Sequence, residues 1–385
     1  MLIYWIWLAT RQNLSRSKQL DLLEYFLTPD AIYNCNSYPR ELELSENALL
    51  SLENKDLSAA RRLVRLCSDK KIRIITLQDT IYPTRLRQIP DMPVVLYCKG
   101  FLPDLDAQPT VGVVGTRKAS SEGLATARKM GCEIAACGGL VVSGGAAGID
   151  AEALWGALDA GKPAVAVLGN GPDIVYPQSN TLLFAKLEEK GCILSEYPPG
   201  TKPTPWQFPE RNRIISGMSD CTLVVEAPMK SGALITARDA LEQGREVFSV
   251  PGSVTRESCA GSNALLRDGA SVACCGWDVL QGYESRYPDI ARREVAAQKA
   301  EAPRNDKKDI DNPPQGAYID LECITQELDP LQKRIVETIG SETVYVDVLA
   351  TKLDMSSPEL MMALTDLGLM GIIENHPGRM VSVVR

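Results

Sequence analysis

Seven short apolar runs punctuate residues 110–275, at 111–114, 140–142, 164–168, 192–194, 221–225, 247–250 and 271–274. Each is apolar nearly throughout, the pattern of a strand buried on both faces rather than of one with a wet side. Between most of them lie stretches with helical spacing, such as 122–137 and 233–243. Few architectures accept that alternation, and the one it predicts is a parallel, doubly wound α/β sheet with helices on both faces.

The rest of the 385 residues exceeds what one domain needs. Helical spacing at 14–26 and 59–67, then an extended stretch from Ile81-Tyr82-Pro83 to Pro93-Val94-Val95-Leu96-Tyr97, predicts a small helical N-terminal domain over 1–105 ahead of a core at 106–284. The stretch 285–324 loses the apolar pattern and is rich in charge and proline at 300–315, so it reads as a disordered linker. Over 325–385, helical patterns at 332–339, 346–353 and 357–369 precede two short strands around a turn holding His376, a winged-helix arrangement. The apolar start, 1–9, is shorter than the roughly 20 residues of a membrane span and lacks a basic segment and cleavage site, so it reads as a core helix.

In an open α/β sheet, ligands bind beyond the carboxyl ends of the strands. The loop after the first run carries Gly115-Thr116-Arg117-Lys118, and that after the second Ser143-Gly144-Gly145-Ala146-Ala147-Gly148. After the fourth, a proline-rich loop delivers Arg211-Asn212-Arg213 to the start of a short helix; after the fifth come Glu226 and Lys230-Ser231-Gly232-Ala233. Five cations on one rim, Arg117, Lys118, Arg211, Arg213 and Lys230, beside helix N-termini whose amides are free, make a polyanion site. Against this stand plainer roles: Arg213 paired with Glu226, Ser143-Gly144-Gly145 as a turn without ligand, and Lys118 as a solvated charge. The carboxylates Asp150, Glu196, Glu210 and Glu226 fit salt-bridge or capping roles better than catalysis, and Tyr176, Trp206 and Phe208 are the aromatics placed to stack on bases or to pack.

Several function classes are excluded or weakened. A formal charge of −8 rules out coating nucleic acid by bulk charge, so any such site is a local basic patch. Neither GxGxxG nor GxxxxGK[ST] occurs, and the single histidine lies outside the core, so neither a cofactor nor a histidine base is expected there. Eleven scattered cysteines without a CxxC pair predict reduced thiols in the cytoplasm, with no zinc site and no disulfide framework.

The ordered segments Val113-Val114-Gly115-Thr116-Arg117, Ser143-Gly144 through Gly148-Ile149-Asp150, Tyr176-Pro177, Ser195-Glu196, Phe208-Pro209-Glu210-Arg211-Asn212-Arg213-Ile214-Ile215, Lys230-Ser231-Gly232-Ala233-Leu234-Ile235-Thr236-Ala237, Gly244-Arg245-Glu246-Val247 and Gly261-Ser262-Asn263 closely resemble the DprA/Smf family. The resemblance implies an extended Rossmann-like core. It implies binding of single-stranded DNA without strong sequence preference through Arg117, Lys118, Ser143, Gly144, Gly145, Arg211, Asn212, Arg213, Lys230, Ser231 and Gly232. It further implies loading of RecA recombinase past single-strand-binding protein during natural transformation, a homodimer, and no consumption of ATP. Two positions depart from the family: Ala147 replaces a basic residue and Leu154 a histidine.

Two other function classes compete. A nucleoside-monophosphate phosphoribohydrolase shares the fold type, but its PGGxGT loop is absent and Lys230-Ser231-Gly232-Ala233 stands in its place. A nucleotide-sensing regulator would signal through the winged helix. The third helical pattern of that tail, 357–370, holds Glu359 and Asp366 and no Lys or Arg. A helix that reads DNA needs cations there. We expect a 325–385 fragment to show no micromolar binding of duplex DNA at physiological salt, measured by titration, and the domain to dock on protein.

Overall fold

A computed structural model describes residues 1–292 and, beyond them, 330–340, 344–353, 355–356, 359–361, 363–364, 367, 373–376 and 380–383. The chain divides into two units, 1–300 and 301–385.

The first unit opens with five helices, α1 (Leu2–Ala9), α2 (Arg16–Phe26), α3 (Pro29–Asn34), α4 (Glu46–Glu53) and α5 (Ser58–Asp69). They close around Trp7, Leu8, Leu22, Ile32 and Leu52, so the apolar start is a core helix. The last of these helices ends at residue 69, close to the end of the helical spacing at 59–67, but the residues after it do not stay within a separate helical domain. Strands β1 (Ile72–Thr76) and β2 (Val95–Gly100) instead join the edge of the main sheet. The physical reason is the run Val95-Leu96-Tyr97-Cys98, buried on both faces and stable only with a strand beside it.

That sheet has nine strands: β1, β2, β3 (Thr110–Val114), β4 (Leu140–Ser143), β5 (Ala164–Leu168), β6 (Cys192–Ser195), β7 (Cys221–Val224), β8 (Glu246–Ser249) and β9 (Ser271–Val272). Their spatial order is β1-β2-β6-β5-β4-β3-β7-β8-β9. From β6 to β9 all neighbours are parallel, while β1–β2 and β2–β6 are antiparallel. The chain runs outward from β3 through β4, β5 and β6, then returns to β7 on the other side of β3. This reversal opens a crevice at the carboxyl ends of β3, β4 and β7.

Alternate strand residues feed two cores. Val111, Val113, Val141, Ala166 and Leu223 face one layer, made by α6 (Ser121–Ala136), α7 (Ile149–Asp159) and α8 (Thr181–Lys190). Val114, Val142, Val165, Val167 and Val224 face the other, made by α9 (Gln207–Met218) and α10 (Gly232–Glu242). Burial on both faces is why these strands read as continuous apolar runs. Helices α6 and α7 touch backbone to backbone: a Cβ on Gly131 would sit 2.1 Å from the Ala153 carbonyl, and one on Gly156 2.1 Å from that of Arg128. Helix α11 (Ala260–Arg267) precedes the edge strand β9.

Residues 285–290, expected in the linker, belong to the fold. Tyr287 and Ile290 are buried, and the Tyr287 hydroxyl accepts from Arg85 at 2.7 Å. Arg85, itself buried, pairs with Asp220 at 3.0 Å, so this segment closes over an internal ion pair. Past residue 292 the expected linker lies outside the described residues.

The second unit has α12 (Pro330–Ile339), α13 (Val346–Leu353) and the antiparallel strands β10 (Val344–Tyr345), β11 (Ile373–His376) and β12 (Met380–Val383), in the order β10-β12-β11. The described residues from 359 to 367 are helical. Ile335, Leu349, Leu360, Leu364 and Val381 form its core. This is a winged helix. His376, which the sequence put in a turn, is the last residue of β11 and pairs with Met380.

Candidate nucleic-acid interface

At the switch point lies a cleft of about 690 Å³. The β3 loop forms one wall. The Thr116 amide donates to the Glu226 carbonyl (2.7 Å), and the Ile149 amide to the Thr116 carbonyl (3.3 Å). Gly148 makes this approach possible: its φ is +87°, and a Cβ would fall 2.4 Å from the Thr116 carbonyl. The Lys118 amide bonds Thr116 Oγ1 at 3.2 Å, a local turn that leaves the Arg117 and Lys118 side chains exposed.

The β7 loop forms the opposite wall. Lys230 is exposed at its end, and Ser231 caps α10 by accepting from the Ala233 amide at 3.2 Å. A Cβ on Gly232 would meet nothing within 4 Å, so the N-terminus of α10 is open. Asn212 donates to the Gly232 carbonyl at 3.2 Å and ties α9 to this loop. At the far end Phe208 stacks on Tyr176, centroids 5.6 Å apart at 24°, and the Arg117 guanidinium lies 5.0 Å above the Phe208 ring. A smaller cavity of about 160 Å³ adjoins, between Tyr176, Phe208 and the loops after β4 and β5.

The five expected cations do not all reach this rim. Arg211 is buried and lies in the second turn of α9, not at the start of a short helix. Its guanidinium donates to the carbonyls of Gly144 (2.7 Å) and Val167, holding the floor together. Arg213 bonds both oxygens of Glu196, at 2.8 and 2.9 Å, and Arg16 binds the same carboxylate at 2.7 Å. Glu226 is therefore not the partner of Arg213. It accepts from the Ser120 amide (3.1 Å) and hydroxyl (2.7 Å) at the start of α6. Although burial works to raise it, hydrogen bonds from Ser258 and Ser120 hold the Glu226 carboxyl below the usual range.

The glycine loop after β4 also differs from expectation. Ser143 is fully buried and donates to the Val113 carbonyl at 2.6 Å. Gly144 and Gly145 are buried too. The Gly144 amide donates to Asp150 at 3.1 Å, and the amides of Ala146 and Gly115 also serve that carboxylate. The cradle expected to hold an anion is filled by the chain's own aspartate. Burial pushes the Asp150 carboxyl up, with Arg211 and these amides acting against the shift; burial likewise pulls Arg211 down to about 10, leaving it charged at neutral pH.

The exposed cations on the cleft wall are thus Arg117, Lys118 and Lys230, alongside Ser231 and Gly232, with Asn212 and Arg211 on the floor. Glu257 and Ser258, which no sequence signal marked, reach the cleft from the loop after β8. Of the flagged carboxylates, Asp150, Glu196, Glu210 and Glu226 all have internal partners, Glu210 pairing with Arg16 at 2.8 Å. Of the two family departures, Ala147 lines the smaller cavity and brings no charge there, and Leu154 is wholly buried in the α7 core. Among the described residues no cluster of His, Cys, Asp or Glu fits a metal, and no helix is long and apolar enough to cross a membrane.

The sequence model of the family described as DNA recombination-mediator protein A matches residues 73–284, and that of the DprA winged helix domain matches 324–379. Protein Smf of Synechocystis is 35% identical over 327 residues, 80% of this chain and 79% of that protein. The X-ray structure of DNA processing protein A from Streptococcus pneumoniae superposes with a TM-score of 0.63 at 33% identity, covering 73% of this chain and 98% of that one. The solved structure of DNA processing protein A from Helicobacter pylori, described for its single-stranded DNA binding mode, gives a TM-score of 0.51 at 28% identity over 56% of this chain and 97% of that one. Sheet order, switch-point loops, winged helix and sequence kinship agree, and the chain belongs to the DprA/Smf family of DNA-processing proteins.

Proposed function

We propose that this chain binds single-stranded DNA in the switch-point cleft without strong sequence preference, and that it helps load RecA recombinase onto that strand during DNA uptake and transformation, displacing single-strand-binding protein. It does so as a cytoplasmic homodimer and without turning over a substrate. One observation carries the reading: exposed Arg117, Lys118 and Lys230 line one cleft together with the open N-terminus of α10 and a stacked aromatic pair. Phosphates need the cations and amides; bases of any identity need only a π-face. The single-stranded DNA binding named for the Helicobacter relative supports it. The dimer reading draws on the free edge strand β9, where Val272 is exposed.

A phosphoribohydrolase finds less support here, because of the two carboxylates lining the cleft Asp150 is buried and held by backbone amides, and Glu257 is exposed to solvent rather than set in a buried catalytic pocket. The deciding experiment incubates the protein with AMP and, separately, with oligo-dT. Retention of the oligonucleotide with no release of free base supports the proposal, and base release overturns it. Phe208→Ala removes one stacking face and the seat of Arg117. We expect oligo-dT affinity to fall about 10-fold with almost no change in salt dependence, as stacking rather than charge is lost. Fluorescence anisotropy at two salt concentrations checks this.

A further inference from the structure

A second basic surface lies in the N-terminal helices, ahead of residues 73–284. Between residues 55 and 73 the sequence carries seven Lys or Arg against two Asp, in a chain of net charge −8. Helix α5 buries Ala60 and Cys67, with Leu63 and Val64 packed behind them, and turns Arg61, Arg62 and Arg65 to solvent. These arginines line a concavity of about 420 Å³ together with Tyr33, Lys55 and Asp56. Lys55 is a fixed cation in its wall, 5.2–5.4 Å from the ring centres of Trp7, Tyr33 and Tyr38 and bonded to the Tyr38 hydroxyl at 2.9 Å. Asp56 is occupied locally, accepting from the Ser58 amide (2.8 Å) and hydroxyl (2.6 Å). Arg61 and Arg62 feel its charge, yet among the described residues no hydrogen bond or ion pair holds the side chain of Arg61, Arg62 or Arg65.

We propose that Arg61, Arg62 and Arg65 form a second contact for the phosphodiester backbone of single-stranded DNA, lengthening the footprint beyond the cleft. The inference rests on the reading of the cleft given above. Helix α5 links the two places: just past its C-terminus, Lys70 pairs with Asp173, three residues from Tyr176 of the stacking platform. The helix is about 18 Å long, which about five nucleotides cover at a duplex-like rise. Among the described residues the cleft has three exposed cations, so a longer strand gains from others placed along its exit. An acidic protein partner fits less well. Protein interfaces centre on apolar surface, and this concavity offers only Leu57 and the half-buried Tyr33 ring.

The test uses the full chain with Arg61→Gln, Arg62→Gln and Arg65→Gln combined. Affinity is measured for an oligo-dT of about 6 nucleotides, enough for one site, and for one several times longer. The short strand should bind the variant as it binds the wild type. The long strand should lose about tenfold at physiological salt, with a salt slope shallower by about two, three cations each contributing about 0.7. A matching triple Arg→Lys variant, which keeps the charge, should restore the long-strand affinity. Unchanged long-strand binding in the Gln variant overturns the inference and leaves the cleft reading standing; that is also the outcome if the patch serves an acidic protein. Equal losses for both lengths overturn it as well. A wild-type protein that binds neither length overturns the cleft reading together with this one.

Discussion

Arg117→Ala combined with Lys230→Ala should weaken oligo-dT binding at least 100-fold at physiological salt. Each side chain is exposed on a wall of the cleft, and each contributes a charge-assisted contact worth roughly a factor of ten. The salt slope should become shallower by about 1.4, from two cations at about 0.7 each on a single strand. Thermal unfolding should stay at the wild-type temperature, because neither side chain holds another part of the fold: Arg117 lies over the Phe208 ring and Lys230 projects from its loop. Anisotropy titrations at two salt concentrations, with a melting curve beside them, decide the matter. Full affinity in the double variant would mean that the strand lies elsewhere.

Arg211→Ala should act in the opposite way, on stability first. This arginine is among the residues that the sequence assigns to DNA, yet its guanidinium is buried against the carbonyls of Gly144 and Val167 and near the Asp150 carboxylate. Removing it strands those acceptors and leaves a buried carboxylate without its cation, a loss of about 3–5 kcal/mol. In a domain of this size that lowers the melting temperature by roughly 10 °C. Adding Asp150→Ala should recover part of the loss, since the stranded charge goes with it.

The pH dependence has a definite sign. Asp150 has a folded-state pKa raised by burial, so the folded state holds that proton more tightly than the unfolded chain does. The ionised carboxylate therefore opposes folding at neutral pH, and the opposition fades as pH falls toward the ordinary carboxylate range. Without Arg211 the carboxyl rises further. The melting-temperature gap between Arg211→Ala and wild type should therefore narrow as pH is lowered from neutral. A gap that stays constant with pH would remove Asp150 from the account.

The strands β3 to β8 were legible because burial on both faces leaves few polar positions in them, and that pattern is local. Helices α6 and α10 were legible within a residue or so for the same reason. Strand β9, expected to be buried as well, is two exposed residues at the sheet edge. What the sequence missed depended on distant neighbours. Composition places the residues of β1 and β2 in a separate N-terminal domain, but β2 pairs with the edge of β6. Residues 285–290 look like linker by composition, yet Tyr287 closes over the Arg85–Asp220 pair, whose members are 135 positions apart in the chain. Tyr176 and Phe208 were both recognised as aromatics able to stack, but their stacking on one another is a tertiary fact.

By itself the sequence determined the doubly wound sheet, the winged helix, the family, and which loops meet at the switch point, because periodicity and loop chemistry are written residue by residue. It determined which side chains are cationic, but not which of those charges are free. Only the tertiary structure assigned Arg213 to Glu196, Arg211 to the floor and Asp150 to the cradle, and left Arg117, Lys118 and Lys230 open. A charge is a property of one residue. Its availability depends on what lies within a few ångströms, and chain separation says nothing about that distance.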